Sequence, residues 1–480
     1  MNNIALSKLA FDGGAWVFTS NFARQFILFG LNVFFARMLL VDDFALVAVV
    51  FTFVALIQVY SEFGISIAII QKQDLVDADF DNAIYLSMII TFLLCLLIWV
   101  FATSISSYVN QPRLSEALPF LYITAFTRGL FSVYRSFLLR RLQYKELAVT
   151  ETLSVICYAS IAILLLSSGP VINDLYIAHI ISSIVLLVSA FYLVNRFPNS
   201  TLSLRRCRNL LSVGIWVAIN RVLGQSSSYM DKFIVSANTT SVQLGGYYVC
   251  QQLASVIANN LASSVEQTVL PLYTTIDGDR LQRGYWRVFR LYVALVTPLI
   301  VIPALHAEQI IMFLYGDRWD DFSSIFQILC VGALFGSFGG AIFGSIFYSQ
   351  GMTKPVVLVG IFKVLILPIC LLVGSEWGLI GIAWGIVVFS ILGRIFNQAL
   401  LKIFFDFSLF KFFKEALKPL SMAIFLVFID ITISPLDFGF IISVFLHLSI
   451  YFIGSYFLWN KEFLLIFNKI KSLLILRRYS

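Results

Sequence analysis

Arg24, Arg128, Arg221 and Lys363 each stand inside a long apolar run of a 480-residue chain. A charge at the centre of a bilayer costs at least ~2.5–3.5 kcal/mol on insertion scales, so such cations usually face a wet cavity and act there. The chemistry they offer is the binding of an anion. A guanidinium presents paired donors that match phosphate oxygens, and an ammonium adds a compact point charge. Asn21, Gln25 and Gln225 lie in the same runs, with Asn32, Asn220, Gln251, Gln252, Asn259 and Asn260 close by. Their amides could line a wall for sugar hydroxyls or simply hydrogen-bond helix to helix. Glu62, Asp231 and Glu266 sit near the ends of apolar runs. A desolvated carboxylate holds its proton more tightly, so each is a candidate for ion coupling; an ion pair, for example Asp231 with Arg221, is the competing role. For the four cations the competing roles are snorkelling and pairing with carboxylates. Arg135 and Arg394 are expected closer to the inner surface, where snorkelling prevails.

The composition shows what must position these groups. Hydrophobic residues make up 60% of the chain and charged ones 12%, against about 25% charged in soluble domains. Apolar runs near the ~20 residues that span a bilayer recur from end to end, without the alternation of outer-membrane strands. The expected fold is therefore an all-α integral membrane protein with about fourteen spans. Among them are spans over residues 83–106, 322–349, 355–374 and 377–401, with tight turns near Ser168–Gly169–Pro170, Gly374–Trp377 and Ser434–Pro435. Pro298, Pro303 and Pro368 are expected to kink two of the spans. Gly336, Gly340 and Gly344, and Gly381 and Gly385, recur every fourth residue and should let helices approach closely.

Orientation follows from the basic loops. Placing the N-terminus inside puts Arg140, Arg141, Lys145, Arg196, Arg205, Arg206, Arg208 and the lysines around Lys411–Lys418 in the cytoplasm, leaving Arg37, Arg113 and Arg318 outside. An even number of spans returns the C-terminus to the cytoplasm. The loop Gln71–Asp81 is acidic yet falls on the basic side. The net charge of +7 is then topology signal and headgroup attraction, not a nucleic-acid footprint.

Gly14-Ala15-Trp16-Val17 returns as Gly214-Ile215-Trp216-Val217, with Gln25 matching Gln225 in the same register. This suggests a duplicated lobe of about six spans, the copies related by an axis along the membrane normal. The expected division is a first lobe over 1–194, a cytoplasmic connection over 195–210, a second lobe over 211–402, two further spans over 403–459 and an amphipathic cytoplasmic tail over 460–480. Arg24 and Arg221 each fall ~15 Å from the inner surface at 1.5 Å per residue, so the two lobes could clamp one anion between them.

Other chemistries find no support. Cys95, Cys157, Cys207, Cys250, Cys330 and Cys370 are scattered without a CxxC pair, so neither a disulfide framework nor a zinc site is expected from them. His179, His306 and His447 are far apart in sequence. No GxxxxGK[ST] phosphate loop is present, no cleavable signal pattern opens the chain, and no outer loop is long enough to seat a glycosyl acceptor. No cofactor, metal or catalytic residue is expected, and the chain is not expected to be an enzyme.

Several stretches carry a resemblance: Gly14-Ala15-Trp16, Phe35-Ala36-Arg37-Met38-Leu39 leading to Asp43-Phe44, Glu62-Phe63-Gly64 with Ala68-Ile69-Ile70-Gln71, Asp231-Lys232-Phe233-Ile234-Val235, Leu244-Gly245-Gly246-Tyr247-Tyr248, Leu270-Pro271, and Leu314-Tyr315-Gly316-Asp317-Arg318-Trp319 followed by Gln327-Ile328-Leu329. In this order and spacing the chain resembles the polysaccharide transport family of the multidrug/oligosaccharidyl-lipid/polysaccharide exporter superfamily, the Wzx-type flippases. The resemblance implies two six-helix lobes around a central cavity plus two C-terminal helices, like the multidrug exporters of that superfamily. It implies a bacterial inner-membrane protein that turns polyprenyl-diphosphate-linked repeat units of O-antigen, capsule or exopolysaccharide to the outer leaflet by alternating access. Its partners would be the lipid-linked oligosaccharide, membrane lipids and a polymerase and chain-length regulator of the same pathway, with no nucleic acid. The rival reading is an ion-coupled multidrug antiporter, whose cationic cargo would want a carboxylate-lined cavity.

Overall fold

The computed structural model describes residues 3–458 apart from 63, 73, 168, 170–171 and 434–438; the side chains of 3–15, 17–18, 213–217, 220–221, 259–260 and some other helical positions lie outside the description. The described secondary structure is helical throughout, as backbone that must satisfy its own hydrogen bonds in lipid requires. The chain divides into two compact units, Met1–Gly245 and Gly246–Ser480. Nine segments among the described residues are long and apolar enough to cross a membrane. The chain is a multi-pass membrane protein.

The first unit comprises α1 (Asn3–Met38), α2 (Val41–Glu62), the short α3 (Ile65–Gln71), α4 (Asp77–Val100), α5 (Ala102–Tyr108), α6 (Leu114–Arg140), α7 (Tyr144–Ser167), α8 (Ile172–Val194), α9 (Leu204–Asn238) and the first turn of α10 (Ser241–Tyr273). The expected span 83–106 is split at Phe101 into α4 and α5. The core of the unit joins α3, α4, α6, α8 and α9 through Ile69, Phe80, Phe137, Leu138, Ala190 and Leu210. Phe80 packs on Phe137 at 4.6 Å and edge-on to Tyr134 at 5.7 Å between ring centroids. Gly129 brings α6 against α4, where the Ser87 hydroxyl donates to the Gly129 carbonyl at 3.0 Å.

The acidic loop on the basic side has a physical reason. The buried Asp79 accepts from Arg206 at 2.9 Å, from the Val76 amide at 3.2 Å and from Lys72. Asp81, also buried, accepts from the amides of Asn199 and Ser200 at 3.2 and 3.1 Å and pairs with Arg196 at 3.3 Å. Asn82 accepts from the Ser203 amide at 2.7 Å. The first turn of α4 thus ties down the basic connection that follows α8, using charge-assisted bonds. The division between units falls at Gly245, whereas the repeat pattern places it in this connection. Through these ties, and through Tyr60 to Ser226 (2.7 Å) and Ser236 to the Val109 carbonyl (2.7 Å), α9 packs with the first unit.

The second unit contains the rest of α10, then α11 (Gly278–Leu305), α12 (Ala307–Tyr315), a 3-10 turn (Asp317–Phe322), α13 (Ser323–Ser337), α14 (Gly340–Ser349), α15 (Lys354–Ser375), α16 (Gly378–Phe405), α17 (Leu409–Ile433) and α18 (Phe440–Leu458). Pro298 and Pro303 lie inside a continuous α11, and Pro368 inside a continuous α15. The break falls instead in the span 322–349, where Gly339 takes a left-handed φ of 82° between α13 and α14, a conformation glycine adopts without steric cost. The turn at Gly374–Trp377 is as tight as expected, with the Trp377 amide donating to the Gly374 carbonyl at 3.0 Å. Turns at 168–170 and 434–435 and the tail from 460 onward lie outside the described residues.

α15 and α16 meet backbone to backbone. A Cβ on Gly381 would stand 2.1 Å from the Gly374 carbonyl oxygen, and one on Gly385 would stand 2.6 Å from the Cys370 carbonyl oxygen. Such overpacking costs about 1–3 kcal/mol or more. Gly381→Val should therefore lower the thermal unfolding midpoint of the detergent-solubilised protein, whereas Gly393→Ala, with open space around it, should leave it within error. Asp81→Ala should speed tryptic cleavage at Arg205–Arg206 severalfold without loss of helix signal, because the amides of the connection lose their acceptor.

Candidate functional site

Some of the groups nominated from the sequence gather in two places, one in each unit. In the first unit, α1, α6 and α7 bring Arg24, Arg135 and Glu151 together. Arg24 donates to Glu151 and, one turn back on its own helix, to Asn21. Arg135 donates through Nε to the other carboxylate oxygen at 2.9 Å. Arg24 and Glu151 are each 16% exposed. Arg128 lies close enough for Glu151 and Tyr158 to act on it by charge, and its Nε is buried without a hydrogen-bond partner. His179 is beside it, with Phe51 at 4.7 Å and Tyr158 at 5.3 Å between ring centroids. Three guanidiniums against one carboxylate leave a positive surplus, which favours an anion. Arg135 is held by Glu151 rather than snorkelling alone. Gln25 is exposed on α1 and Gln225 half-buried on α9, and neither joins this cluster.

In the second unit, α10, α11, α13, α14, α15 and α16 line an open cavity of about 390 Å³, within the range of small-molecule sites. Its polar lining comes from Gln251, Ser255, Glu266, Tyr292, Ser337, Lys363, Ser390 and Arg394. Gly332, Gly336 and Gly340 open one wall. A Cβ on Gly340 would stand 2.6 Å from an Arg394 guanidinium nitrogen, so glycine there leaves the arginine its place. Lys363 is close enough to Arg394 for each to feel the other's charge. Among the described residues neither cation pairs with a carboxylate, and Arg394 Nε is buried with no partner. Two cations to one acid, Glu266, among hydroxyl and amide groups leave a positive surplus on the lining, which favours an anion.

Arg394 thus departs from the snorkelling expected of it. It stands mid-way along α16, on the face that Ile386 and Ser390 share at intervals of four. That polar stripe, Ser390–Arg394–Gln398, was the signal in the sequence. Glu151 gave no comparable signal, since a single carboxylate in the second turn of a helix reads as a surface group. Glu266 lies on the cavity wall, while Glu62 and Asp231 are buried in the first unit at the end of α2 and within α9. The side chains of Arg221, Asn220, Asn259 and Asn260 lie outside the described residues.

A family model described as "Polysaccharide biosynthesis protein" matches residues 34–324, more than half of the chain. The chain belongs to this family. Similar proteins include the lipopolysaccharide biosynthesis protein WzxC of Escherichia coli, 19% identical over 75% of this chain and 74% of its own length. Another is the teichuronic acid biosynthesis protein TuaB of Bacillus subtilis, 18% identical over 75% of this chain and 76% of its own. Among solved structures, the inward closed conformation of the lipid II flippase MurJ superposes with a TM-score of 0.75 at 16% identity, over 92% of this chain and 98% of that one. The likeness establishes that this member of the polysaccharide biosynthesis family shares the all-helical membrane fold of that protein.

The Arg24–Glu151–Arg135 cluster carries its own test. Glu151→Gln keeps the shape and removes the counter-charge, and should lower stability by about 1–3 kcal/mol, read as a fall in the unfolding midpoint in detergent. Adding Arg24→Met should recover part of that loss, because the two changes are coupled; strictly additive losses would mean that the pair contributes nothing jointly.

Proposed function

We propose that the chain is a flippase for polyprenyl-diphosphate-linked oligosaccharides, the repeat units of an O-antigen, capsule or exopolysaccharide, acting in the bacterial inner membrane with both termini in the cytoplasm. One observation carries the reading within this family: the cations Lys363 and Arg394 line a polar cavity and, among the described residues, neither is paired with a carboxylate. A lipid-linked oligosaccharide presents a diphosphate, a hydroxyl-rich glycan and an apolar tail. The diphosphate suits the guanidinium fork and the ammonium. The glycan suits Gln251, Ser255, Ser337 and Ser390, and the tail needs only lipid. The cationic cluster of Arg24, Arg128 and Arg135 offers the same anion a second receiver, and Arg221 belongs to the same proposal. Asn21, Gln25 and Gln225 are proposed for the glycan. WzxC and TuaB bear names from lipopolysaccharide and teichuronic acid biosynthesis, and MurJ is named a lipid II flippase; this kinship of cargo supports the reading.

No covalent step is assigned to the chain, and its partners are the lipid-linked oligosaccharide, the surrounding lipids and the polymerase and chain-length regulator of the pathway. Transport is proposed to draw on a proton or sodium gradient, with Glu266, on the cavity wall beside the cations, the foremost coupling group, and Glu62 and Asp231 behind it. A multidrug antiporter would want acidic walls, but Glu266 is the one acid among the residues lining this cavity, which also include Lys363 and Arg394.

Deleting the gene should leave lipid-linked repeat units on the inner leaflet and strip glycan from the surface; normal surface glycan with altered drug sensitivity would sink the reading. In the complemented strain, Lys363→Met combined with Arg394→Met should slow export by ~10- to 100-fold, the equivalent of about 1.5–3 kcal/mol per charged hydrogen bond, at unchanged protein level. In proteoliposomes, Glu266→Gln should abolish the dependence of flux on the ion gradient.

A further inference from the structure

Two of the chain's three histidines, far apart in sequence, meet an aspartate in the second unit. His306 stands at the junction of α11 and α12, Asp430 in the last turn of α17 and His447 in the second turn of α18. One ligand atom from each lies within 4.8 Å of the others. His447 is fully buried and Asp430 is 26% exposed.

The hydrogen bonding of His447 fixes which nitrogen is free. Nδ1 lies 2.8 Å from the Ser443 carbonyl oxygen. A carbonyl can only accept, so Nδ1 carries the proton and donates. In the neutral ring the Nε2 lone pair then points outward. It lies 3.4 Å from the Asp430 carboxylate, buried and without a hydrogen-bond donor. A lone pair facing a carboxylate is repulsive unless a positive centre lies between them. An N–H donated to a backbone carbonyl with the other nitrogen left bare is the usual support for a metal-binding histidine. The His447–Asp430 spacing agrees: in a tetrahedral site with bonds of about 2.0–2.1 Å, ligand atoms are about 3.3 Å apart, and the His306 atom, within 4.8 Å of both, would have to draw in on binding. His306 completes the set, with the Ser443 hydroxyl 3.4 Å from its Nε2 and its ring 5.2 Å from that of His447.

We propose that His306, Asp430 and His447 form a binding site for a divalent transition metal of the zinc class, with water in the fourth position. Two imidazoles and a carboxylate suit that ion and not a hard cation such as magnesium. The exposed edge of Asp430 gives the entry path. The site shares no residue with the cavity that holds Lys363 and Arg394. Its effect is mechanical: it ties the α17–α18 pair to the end of α11, alongside the bond from the Tyr451 hydroxyl to the Ala294 carbonyl at 2.7 Å.

The test uses the full chain in detergent, purified without a polyhistidine tag and stripped with a chelator. Adding Co²⁺ should produce the visible absorption of a tetrahedral Co²⁺ centre at about one ion per chain; Zn²⁺ should displace it and raise the unfolding midpoint. His447→Ala and Asp430→Asn should each remove the band and the shift in midpoint, while His179→Ala should keep both. If His447→Ala does not fold, Asp430→Asn, at a partly exposed position, gives the same reading. No Co²⁺ band in the wild-type protein, or an undiminished band in Asp430→Asn, overturns the proposal. In that event a proton shared by His447 and Asp430 is what holds the pair.

Discussion

The structure turns on the cost of holding charge away from water. In a medium of low dielectric a cation must find a carboxylate, a wet cavity or the interface. The two units answer this in different ways. In the first, Glu151 sits between Arg24 and Arg135 and acts on Arg128, so one carboxylate offsets part of the cost of three cations. In the second, Lys363 and Arg394 have polar neighbours and an open volume, but no acid pairs with either among the described residues. Both arrangements leave a positive surplus, and they differ in whether a carboxylate is already bonded to the cations.

Helix identity and the membrane class were legible because they depend on local quantities, apolar run length and the absence of alternation. Each span expected from the sequence overlaps a helix. Lys363 stood out for the same kind of reason, being a charge flanked by Ile361, Phe362, Val364 and Leu365. Pairing was not legible. Nothing near Glu151 in sequence announces Arg24, which is 127 positions away, and the partners of Asp79 and Asp81 come from the connection beyond α8. The histidine–aspartate group escaped notice because its members come from three elements that adjoin only after folding. Breaks were legible only in part. Pro298, Pro303 and Pro368 drew attention as kink points and lie inside helices that run on through them, whereas the interruption at Gly339 drew none.

The acidic first turn of α4 bears on how the chain is divided. The match of Gly14-Ala15-Trp16-Val17 with Gly214-Ile215-Trp216-Val217 suggests a second lobe that starts there, whereas contacts hold α9 with the helices before it. A sequence repeat and a compact unit need not share a border. The basic residues that read as a topology signal also serve as ligands to buried carboxylates, so their positions answer to two constraints at once.

Gly339 has a consequence of its own. A left-handed residue between α13 and α14 interrupts the ladder of backbone bonds at membrane depth. Lipid cannot supply the missing partners, so an interruption of this kind survives only inside protein or beside water. Gly336, Ser337 and Gly340, on either side of it, all line the cavity. The break is kept from lipid by protein, where a Cβ on Gly339 would stand 3.0 Å from the Tyr285 hydroxyl, and by the polar cavity that its neighbours line. One left-handed glycine thus sets a gap in the backbone ladder beside the cavity's polar lining.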